Sequence, residues 1–219
     1  MNLQLGDFKF RALVAFVALV GVTGSATAVP VKGSVAVTSP EGQPLALTMT
    51  IDDVKTRFEM TGPSFSWFAF GFDTMTMQGY SIIVEGLDDT RSAVEQNLVG
   101  RGNPGSPQAI QNLELIDATY DSDADSTTVI LERLNDTDDA NDPAFSTNMT
   151  SLALIFAYDS AATVIQPNPS LANHGRSGRG FATITFEPVP ETGTAALILL
   201  GTGLSGATWR RRPVRRRHA

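Results

Sequence analysis

Three aspartates at alternate positions have a spacing that could bind a metal ion. Asp121, Asp123 and Asp125 have the alternation of a calcium-binding loop, and Glu132 falls at the twelfth position of that loop. The sixth position requires glycine but holds Ser126, and residues 127–134 have the pattern of a strand rather than of a loop exit. The pattern therefore does not indicate an EF-hand. It leaves two alternatives open, a weak calcium site on an acidic turn and a solvated turn.

The scarcity of histidine and the absence of cysteine limit the other chemistry that the chain could perform. Its 219 residues include no cysteine and two histidines, of which His174 lies outside the last few residues. Disulfides, thiolate metal sites and covalently attached haem are excluded, because each needs cysteine. A single histidine gives little support to a multi-histidine metal site or a Ser-His-Asp triad. Read alone, His174 in a loop rich in Gly and Arg is a solvated side chain or a ligand.

The N-terminus is typical of a secretory signal. Lys9 and Arg11 precede an apolar run over residues 12–22 that is too short to span a bilayer comfortably. Ala26-Thr27-Ala28 then has the small-x-small cleavage pattern. We expect a signal peptide over residues 1–28, cut after Ala28.

The C-terminus combines an uncharged segment with a basic tail. Residues 192–209 carry no charge, and six arginines follow at once. Eighteen helical residues reach about 27 Å, just enough for a thin hydrocarbon core. The arginines would stay cytoplasmic by the positive-inside bias, so the body would be exported. A plain single-span anchor is one reading of this segment.

The same segment resembles the PEP-CTERM sorting signal of Gram-negative bacteria. That signal has a Val-Pro-Glu-Pro box, an apolar segment rich in Gly and Leu, and an arginine cluster. Here the box is Val189-Pro190-Glu191-Thr192, so Thr192 replaces the second proline. The resemblance implies a sorting signal over residues 188–219, processing by an exosortase-type enzyme, and delivery to the cell surface or extracellular matrix.

The remaining body is acidic. Of the 16 basic and 23 acidic residues of the chain, residues 29–187 keep 8 and 21, which leaves a net charge of −13. A surface of this sign suits solubility and weak attraction of cations, and it argues against nucleic-acid binding. Plentiful carboxylates without a marked pair at a cleft give no sign of a hydrolase.

Short runs rich in β-branched and aromatic residues recur in the body, bounded by turn residues. They predict one all-β domain over residues 29–187, built as an antiparallel β-sandwich or barrel. A short helix is expected around Ala93–Val99. The predicted strands are Val31–Val37, Leu45–Ile51, Phe65–Phe72, Ser81–Glu85, Gln111–Thr119, Thr127–Leu134, Ser151–Ala157 and Gly180–Phe186.

An ordered set of landmarks in this body resembles the DOMON domain. Residues 67–72 (WFAFGF) match its Trp-x-x-x-Gly-Phe strand, and Met77-Gln78-Gly79 matches its Met-x-Gly turn. An acidic loop over residues 135–142, an apolar strand ending in Tyr158, and a histidine turn over residues 174–180 follow in the family's order. The resemblance covers nearly the whole body and implies an immunoglobulin-like antiparallel β-sandwich.

In haem-binding members of that family, the iron of a b-type haem is held by one methionine and one histidine from two turns. Carried onto this chain, the resemblance implies Met77 and His174 as ligands of haem iron, with Met75 as the alternative methionine. Candidates for the pocket wall and for the haem propionates are Trp67, Phe70, Phe72, Tyr80, Arg176 and Arg179. Read alone, Trp67 and the phenylalanines fit the core better than a cofactor pocket. The two methionines are compatible with strand packing, and the two arginines are compatible with solvated loop charges.

The resemblance thus implies an exported electron carrier rather than an enzyme. It would act with a partner oxidoreductase or redox relay, because the chain carries no second redox centre. Some DOMON members are proposed to bind carbohydrate in the same sandwich, so a polysaccharide-binding surface module is the alternative. In that alternative, the aromatic residues and the Asp and Asn side chains would take the place of the iron ligands.

Overall fold

The structure is a computed structural model that describes residues 28–38, 42–85, 91–100, 105–159 and 178–190. Residues 1–27 of the predicted signal peptide and the predicted apolar helix over residues 192–209 lie outside these ranges. His174 and Arg176 lie outside them too. Within the described ranges, no helix is long and apolar enough to cross a membrane.

Strands with alternating burial build the fold, as the apolar patterns predict. In Pro44–Ile51 every second residue is buried, and in Lys55–Pro63 Thr56, Phe58 and Met60 are buried between more exposed neighbours. The described residues form twelve strands: β1 (Val31–Thr38), β2 (Pro44–Ile51), β3 (Lys55–Pro63), β4 (Phe68–Phe72), β5 (Gln78–Glu85), β6 (Ser92–Val99), β7 (Ser106–Pro107), β8 (Glu114–Asp121), β9 (Ser126–Leu134), β10 (Ser151–Tyr158), β11 (Arg179–Thr185) and β12 (Glu187–Pro188).

The strands form two six-stranded sheets in which all pairings are antiparallel. The first sheet has the order β12-β1-β2-β3-β9-β8, and the second has the order β11-β10-β4-β5-β6-β7. The described part of the chain is therefore an all-β sandwich, which confirms the predicted class. The chain passes from the second sheet to the first between β11 and β12, where the Phe186 amide donates to the Thr150 carbonyl at 3.0 Å.

The core lies between the two sheets and is largely aromatic at its centre. The ring of Phe58 on β3 meets the rings of Phe72 and Phe145 edge-on, at 5.6 and 5.7 Å between centroids. Phe68 lies against the backbone of Gly62, where an added Cβ would collide with its ring. The absence of a side chain at Gly62 therefore leaves the space that the Phe68 ring fills in a close-packed core.

All eight predicted strands are present, with ends that differ by a few residues. β4 begins at Phe68 rather than Phe65, because residues 64–66 form the turn that leads from the first sheet to the second. Two long strands, β3 and β6, were not among the predicted ones.

The short helix expected around Ala93–Val99 is wrong, because these residues belong to β6. They pair with β5 over its full length, from Gln78 opposite Val99 to Glu85 opposite Ser92. The residues on the core side of β6 include Glu95 and Asn97, so the sequence lacks the alternation that marks a half-buried strand.

Truncation of the central aromatic ring should test this core. Phe58→Ala is expected to lower the free energy of unfolding by about 3–5 kcal/mol, because the side chain is fully buried and leaves a cavity. The measurement is urea denaturation at neutral pH. Phe181→Ala is the matched control, since Phe181 is 62% exposed and should change stability by less than about 0.5 kcal/mol. Equal losses in the two variants would contradict the described core.

Candidate functional site

The predicted ligand methionine lies in the turn between β4 and β5. Thr74 orders this turn, because its hydroxyl donates to the Thr76 carbonyl at 2.9 Å and accepts from the Thr76 amide at 3.0 Å. Met77 directly precedes β5 and is half-buried, whereas Met75 is 52% exposed. Of the two candidate methionines, Met77 is thus the more sheltered.

Three of the four predicted wall aromatics lie in the core between the sheets. Phe70, Phe72 and Tyr80 are each at most 3% exposed, and the rings of Phe72 and Tyr80 are 5.7 Å apart. They belong to one continuous buried cluster with Phe58 and Phe145. In this structure their contacts are packing contacts of the sandwich.

The fourth aromatic, Trp67, is buried outside that cluster. Trp67 and Ile83 are 3% and 1% exposed, yet neither is part of the core between the sheets. Side chains alternate across a strand, so Ile83 lies on the opposite face of β5 from its buried neighbours Ile82 and Val84. The second sheet therefore buries apolar residues on both of its faces.

Strand register defines the outer face of the second sheet, which we call the outer floor. Directly opposite residues of antiparallel strands share a face. One row of the floor crosses five strands and consists of Arg179, Ala157, Ala69, Ile83 and Val94. The next row consists of Phe181, Ile155, Gly71, Ser81 and Gln96.

Small residues hold the centre of the outer floor. Ala69 and Ala157 are neighbours in one row, and Gly71 and Ser81 are neighbours in the next. A Cβ on Gly71 would lie 2.7 Å from Ile155 Cγ1 and 3.6 Å from Thr74 Cγ2. Thr74, in the turn that carries Met77, therefore places its methyl group on the outer-floor side of Gly71.

The indole of Trp67 has an unused hydrogen-bond donor. Its Nε1 is buried and has no hydrogen-bond partner, which is costly for a polar atom. The backbone that precedes Trp67 is held firmly. The buried guanidinium of Arg91 donates to the carbonyls of Pro63, Ser64 and Ser66, and the Ser66 hydroxyl donates to the Asp159 carbonyl at 2.9 Å.

Of the predicted basic and histidine residues, the described ranges include Arg179. It begins β11, is exposed, and lies at the end of the floor row that contains Ala157 and Ala69. His174 precedes it by five residues in the sequence. The structure therefore brings Arg179 onto the outer floor, and the positions of His174 and Arg176 stay predictions.

A buried charged cluster, which the sequence patterns did not predict, lies next to the Met77 turn on the core side of the sheet. The Tyr80 hydroxyl donates to Glu95 Oε1 at 2.6 Å, and Glu95 Oε2 accepts from the backbone amides of Asn112 and Leu113. Burial is the main cause that raises the pKa of Tyr80 well above its usual value, and the nearby carboxylate of Glu95 adds to it, against the opposing effect of Arg133. Tyr80 is therefore a neutral hydrogen-bond donor at neutral pH.

Arg133 supplies the positive charge of this cluster. Its side chain is fully buried, and the guanidinium lies 4.9 Å from the centre of the Tyr80 ring and 4.7 Å from that of Phe145. Its Nη1 is 2.9 Å from Asp142 Oδ2 and 3.9 Å from Glu95 Oε1. Its Nη2 donates to the Pro143 carbonyl. Cation–π contacts and ion pairs thus act on the same group.

The cluster is tightly bonded but incompletely satisfied. Asp142 Oδ2 accepts from Thr137 and Asn112 at 2.7 and 3.1 Å, while Asp142 Oδ1 and Arg133 Nε have no partner. The sequence did contain a signal for it. Arg133 continues the inward alternation of Val129 and Leu131, and a charge at an inward position indicates a buried partner.

A surface cleft of about 520 Å³ lies between the segment around β7 and the loop after β9. Its volume is within the usual range of ligand sites. The side chains on its walls are mostly amides, hydroxyls and carboxylates, without a basic group. They belong to Asn97, Ser106, Pro107, Gln108, Ala109, Ile110, Thr137, Asp138, Asp139, Ala140 and Asn141.

The three aspartates of the predicted weak calcium site form the turn of the β8–β9 hairpin. Asp121 Oδ1 accepts from the amides of Asp123 and Ala124, at 2.9 and 3.1 Å, and so closes the turn. Asp125 has a positive φ of 50°, and its Oδ1 accepts from the Tyr120 hydroxyl at 3.4 Å. In the described part of the chain, no group of three or more His, Cys, Asp or Glu residues is arranged to hold a metal ion.

Comparisons with known proteins give no assignment. No protein-family model matches the chain, and no curated protein matches it.

Removal of the buried cation should destabilise the fold strongly. Arg133→Met is expected to lower the free energy of unfolding by about 3–5 kcal/mol, because Glu95 and Asp142 lose their compensating charge. The measurement is urea denaturation at pH 7. Arg57→Met is the control, since Arg57 pairs with Glu132 at 2.9 Å but is partly exposed, and its loss should cost at most about 1 kcal/mol. A loss below that of Arg57→Met would show that the buried charges are not held by Arg133.

Proposed function

We propose that this protein is an exported electron carrier that binds one b-type haem at the outer floor, with Met77 and His174 as axial ligands. The observation that carries the proposal is the outer floor itself, an apolar face with small residues at its centre, beside the Met77 turn. Haem b would supply one-electron redox chemistry, and Met/His ligation raises its reduction potential.

The residues of the outer floor have the chemistry that a flat apolar ligand needs. Ala69 and Ala157 place only methyl groups at its centre, the Ile155 side chain lies over Gly71, and Ile83 and Ile155 offer apolar contact. Because the chain has no cysteine, a porphyrin would be held by such contacts and by its axial ligands. The buried Nε1 of Trp67 is a donor that lacks an acceptor among the described residues, as expected at a site completed by a ligand.

The chain segments next to the floor carry the proposed ligands. The Met77 turn leans over Gly71 through Thr74, and the segment between β10 and β11 contains His174. Those two strands form one side of the floor. A guanidinium suits a carboxylate, so the exposed Arg179 at the end of the floor is a partner for a haem propionate, with Arg176 as the second candidate.

If Met77 and His174 both held the iron, the haem would supply electron transfer and would not bind a substrate at iron. The protein therefore acts with a partner oxidoreductase or redox relay and is not an enzyme by itself. The likeness of its two ends to a signal peptide and to a PEP-CTERM sorting signal supports delivery to the cell surface or extracellular matrix, after exosortase-type processing.

Absorption spectra of the full chain, produced with its export signals and supplied haem, test the ligands. We expect a low-spin spectrum in both redox states. Met77→Ala should lose the charge-transfer band of a Met-ligated ferric haem and lower the reduction potential, and His174→Ala should lose the low-spin spectrum. Met75→Ala is the control and should leave the spectrum unchanged. A wild-type protein that stays colourless with added haem would contradict the proposal.

The location on the outer floor is tested in the same assay. Ala69→Leu adds bulk at the centre of the floor and should abolish haem retention while the fold is kept. Ala36→Leu makes the same change at an exposed position of β1 in the first sheet and should retain haem. Loss of haem in both variants, or in neither, would mean that the haem lies elsewhere.

Polysaccharide binding is a second candidate, favoured by the surface cleft. Its amides, hydroxyls and carboxylates match the hydrogen-bonding groups of a neutral sugar, and Pro107 and Ile110 add apolar surface. Calorimetric titration with neutral oligosaccharides should then give saturable heats that Gln108→Ala weakens by about tenfold, the loss of roughly one strong hydrogen bond. Asp123→Asn, on the distant hairpin turn, should not alter them. Absence of saturable heats for the wild type would remove this candidate.

A further inference from the structure

We infer that the buried cluster around Arg133 is a positioning device for the Met77 turn, so Tyr80, Glu95 and Arg133 control the methionine ligand without touching the haem. This inference rests on the proposed haem site and assigns a role to residues that the proposal itself does not use.

The cluster contacts both ends of the turn. Phe72 is the last residue of β4 and Tyr80 lies three residues after Met77, and their rings are 5.7 Å apart. Phe145 contacts Phe72 at 6.1 Å and lies 4.7 Å below the Arg133 guanidinium. The Arg133 guanidinium therefore contacts both the Tyr80 ring and the Phe145 ring, and Phe145 in turn packs against Phe72.

The hydroxyl of Tyr80 fixes the second end of the turn to a neighbouring strand. It donates to Glu95 Oε1 at 2.6 Å, and Glu95 is itself held by two backbone amides and by the charge of Arg133. Tyr80, Glu95 and Arg133 are each at most 3% exposed, so water does not compete for the bond between Tyr80 and Glu95. Low exposure makes each bond stronger than it would be at the surface.

Within the turn itself, the bonds of the described residues are local. Thr74 bonds to Thr76, Asp73 has a positive φ of 55°, and Gly79, the second residue of β5, has a positive φ of 91°. A short turn of this kind has few contacts that fix it against the sheet, so its position depends on how its ends are anchored. Charges are expensive to bury, and the buried charges around Arg133 lie where that anchoring is needed.

The test uses Tyr80→Phe, which keeps the ring and its stacking and removes only the hydroxyl that reaches Glu95. Loss of one buried hydrogen bond should speed amide hydrogen exchange in residues 74–79 by about tenfold, while exchange in β2 and β3 stays unchanged. In the haem-loaded protein the Met–iron charge-transfer band should weaken and the reduction potential should fall. Tyr120→Phe is the matched control, because Tyr120 is 39% exposed on β8, and it should change neither readout.

Outcomes of this experiment separate the two proposals. A wild-type protein that takes up no haem refutes the haem proposal and, with it, the inference that rests on it. A wild type with haem, together with a Tyr80→Phe variant that keeps its exchange rates, its Met–iron band and its potential, refutes the positioning role alone. Faster exchange throughout the sandwich would show that Tyr80 is a general stabiliser and would also overturn the inference. Glu95→Gln, which keeps an acceptor for Tyr80, should show smaller effects than Tyr80→Phe.

Discussion

The alternation of side chains along β4 is the constraint on which the rest of the structure depends. β4 is a central strand of the second sheet, and Phe68, Phe70 and Phe72 fill the core on one side. Ala69 and Gly71 between them face the other side, so the same five residues build both the core and the centre of the outer floor. A shift of one residue in the register of β4 would place phenylalanines on the floor and small residues in the core. The packing of the sandwich therefore fixes the shape of the proposed site.

Burial of charge is the second feature that ties fold and site together. An arginine, a glutamate and an aspartate lie inside the sandwich, and an apolar cluster of similar volume would often serve stability as well or better. The ion pairs, the two aromatic faces and the backbone donors offset the cost of desolvation. The geometry that they impose joins three separate parts of the chain, namely β6, β9 and the loop after β9, around Tyr80 on β5. A precise position for the adjoining turn is the gain that such an arrangement offers.

Much of the fold could be predicted from the sequence because most strands alternate on their own. β2 and β10 carry apolar residues at every second position, and the class and the eight predicted strands follow from such patterns. β6 could not be predicted in this way. Its inward residue Glu95 is acceptable in the core only because Arg133 and Tyr80 reach it from distant parts of the chain, and such pairing is not visible in a local window. The site shows the same division. Sequence order indicated Met77 and Trp67, but strand register was needed to show that Phe70 and Phe72 face the core while Ala69 and Ala157 form a floor.

The most direct test of the account is paramagnetic broadening in NMR spectra of the full chain with ferric haem added. The account predicts broadening of Ala69, Ile83 and Ala157 on the outer floor, with the signals of Leu47 and Met49 in the first sheet far less affected. Absence of broadening, or broadening centred on the surface cleft around Asp138 and Asp139, would contradict a haem site on the outer floor.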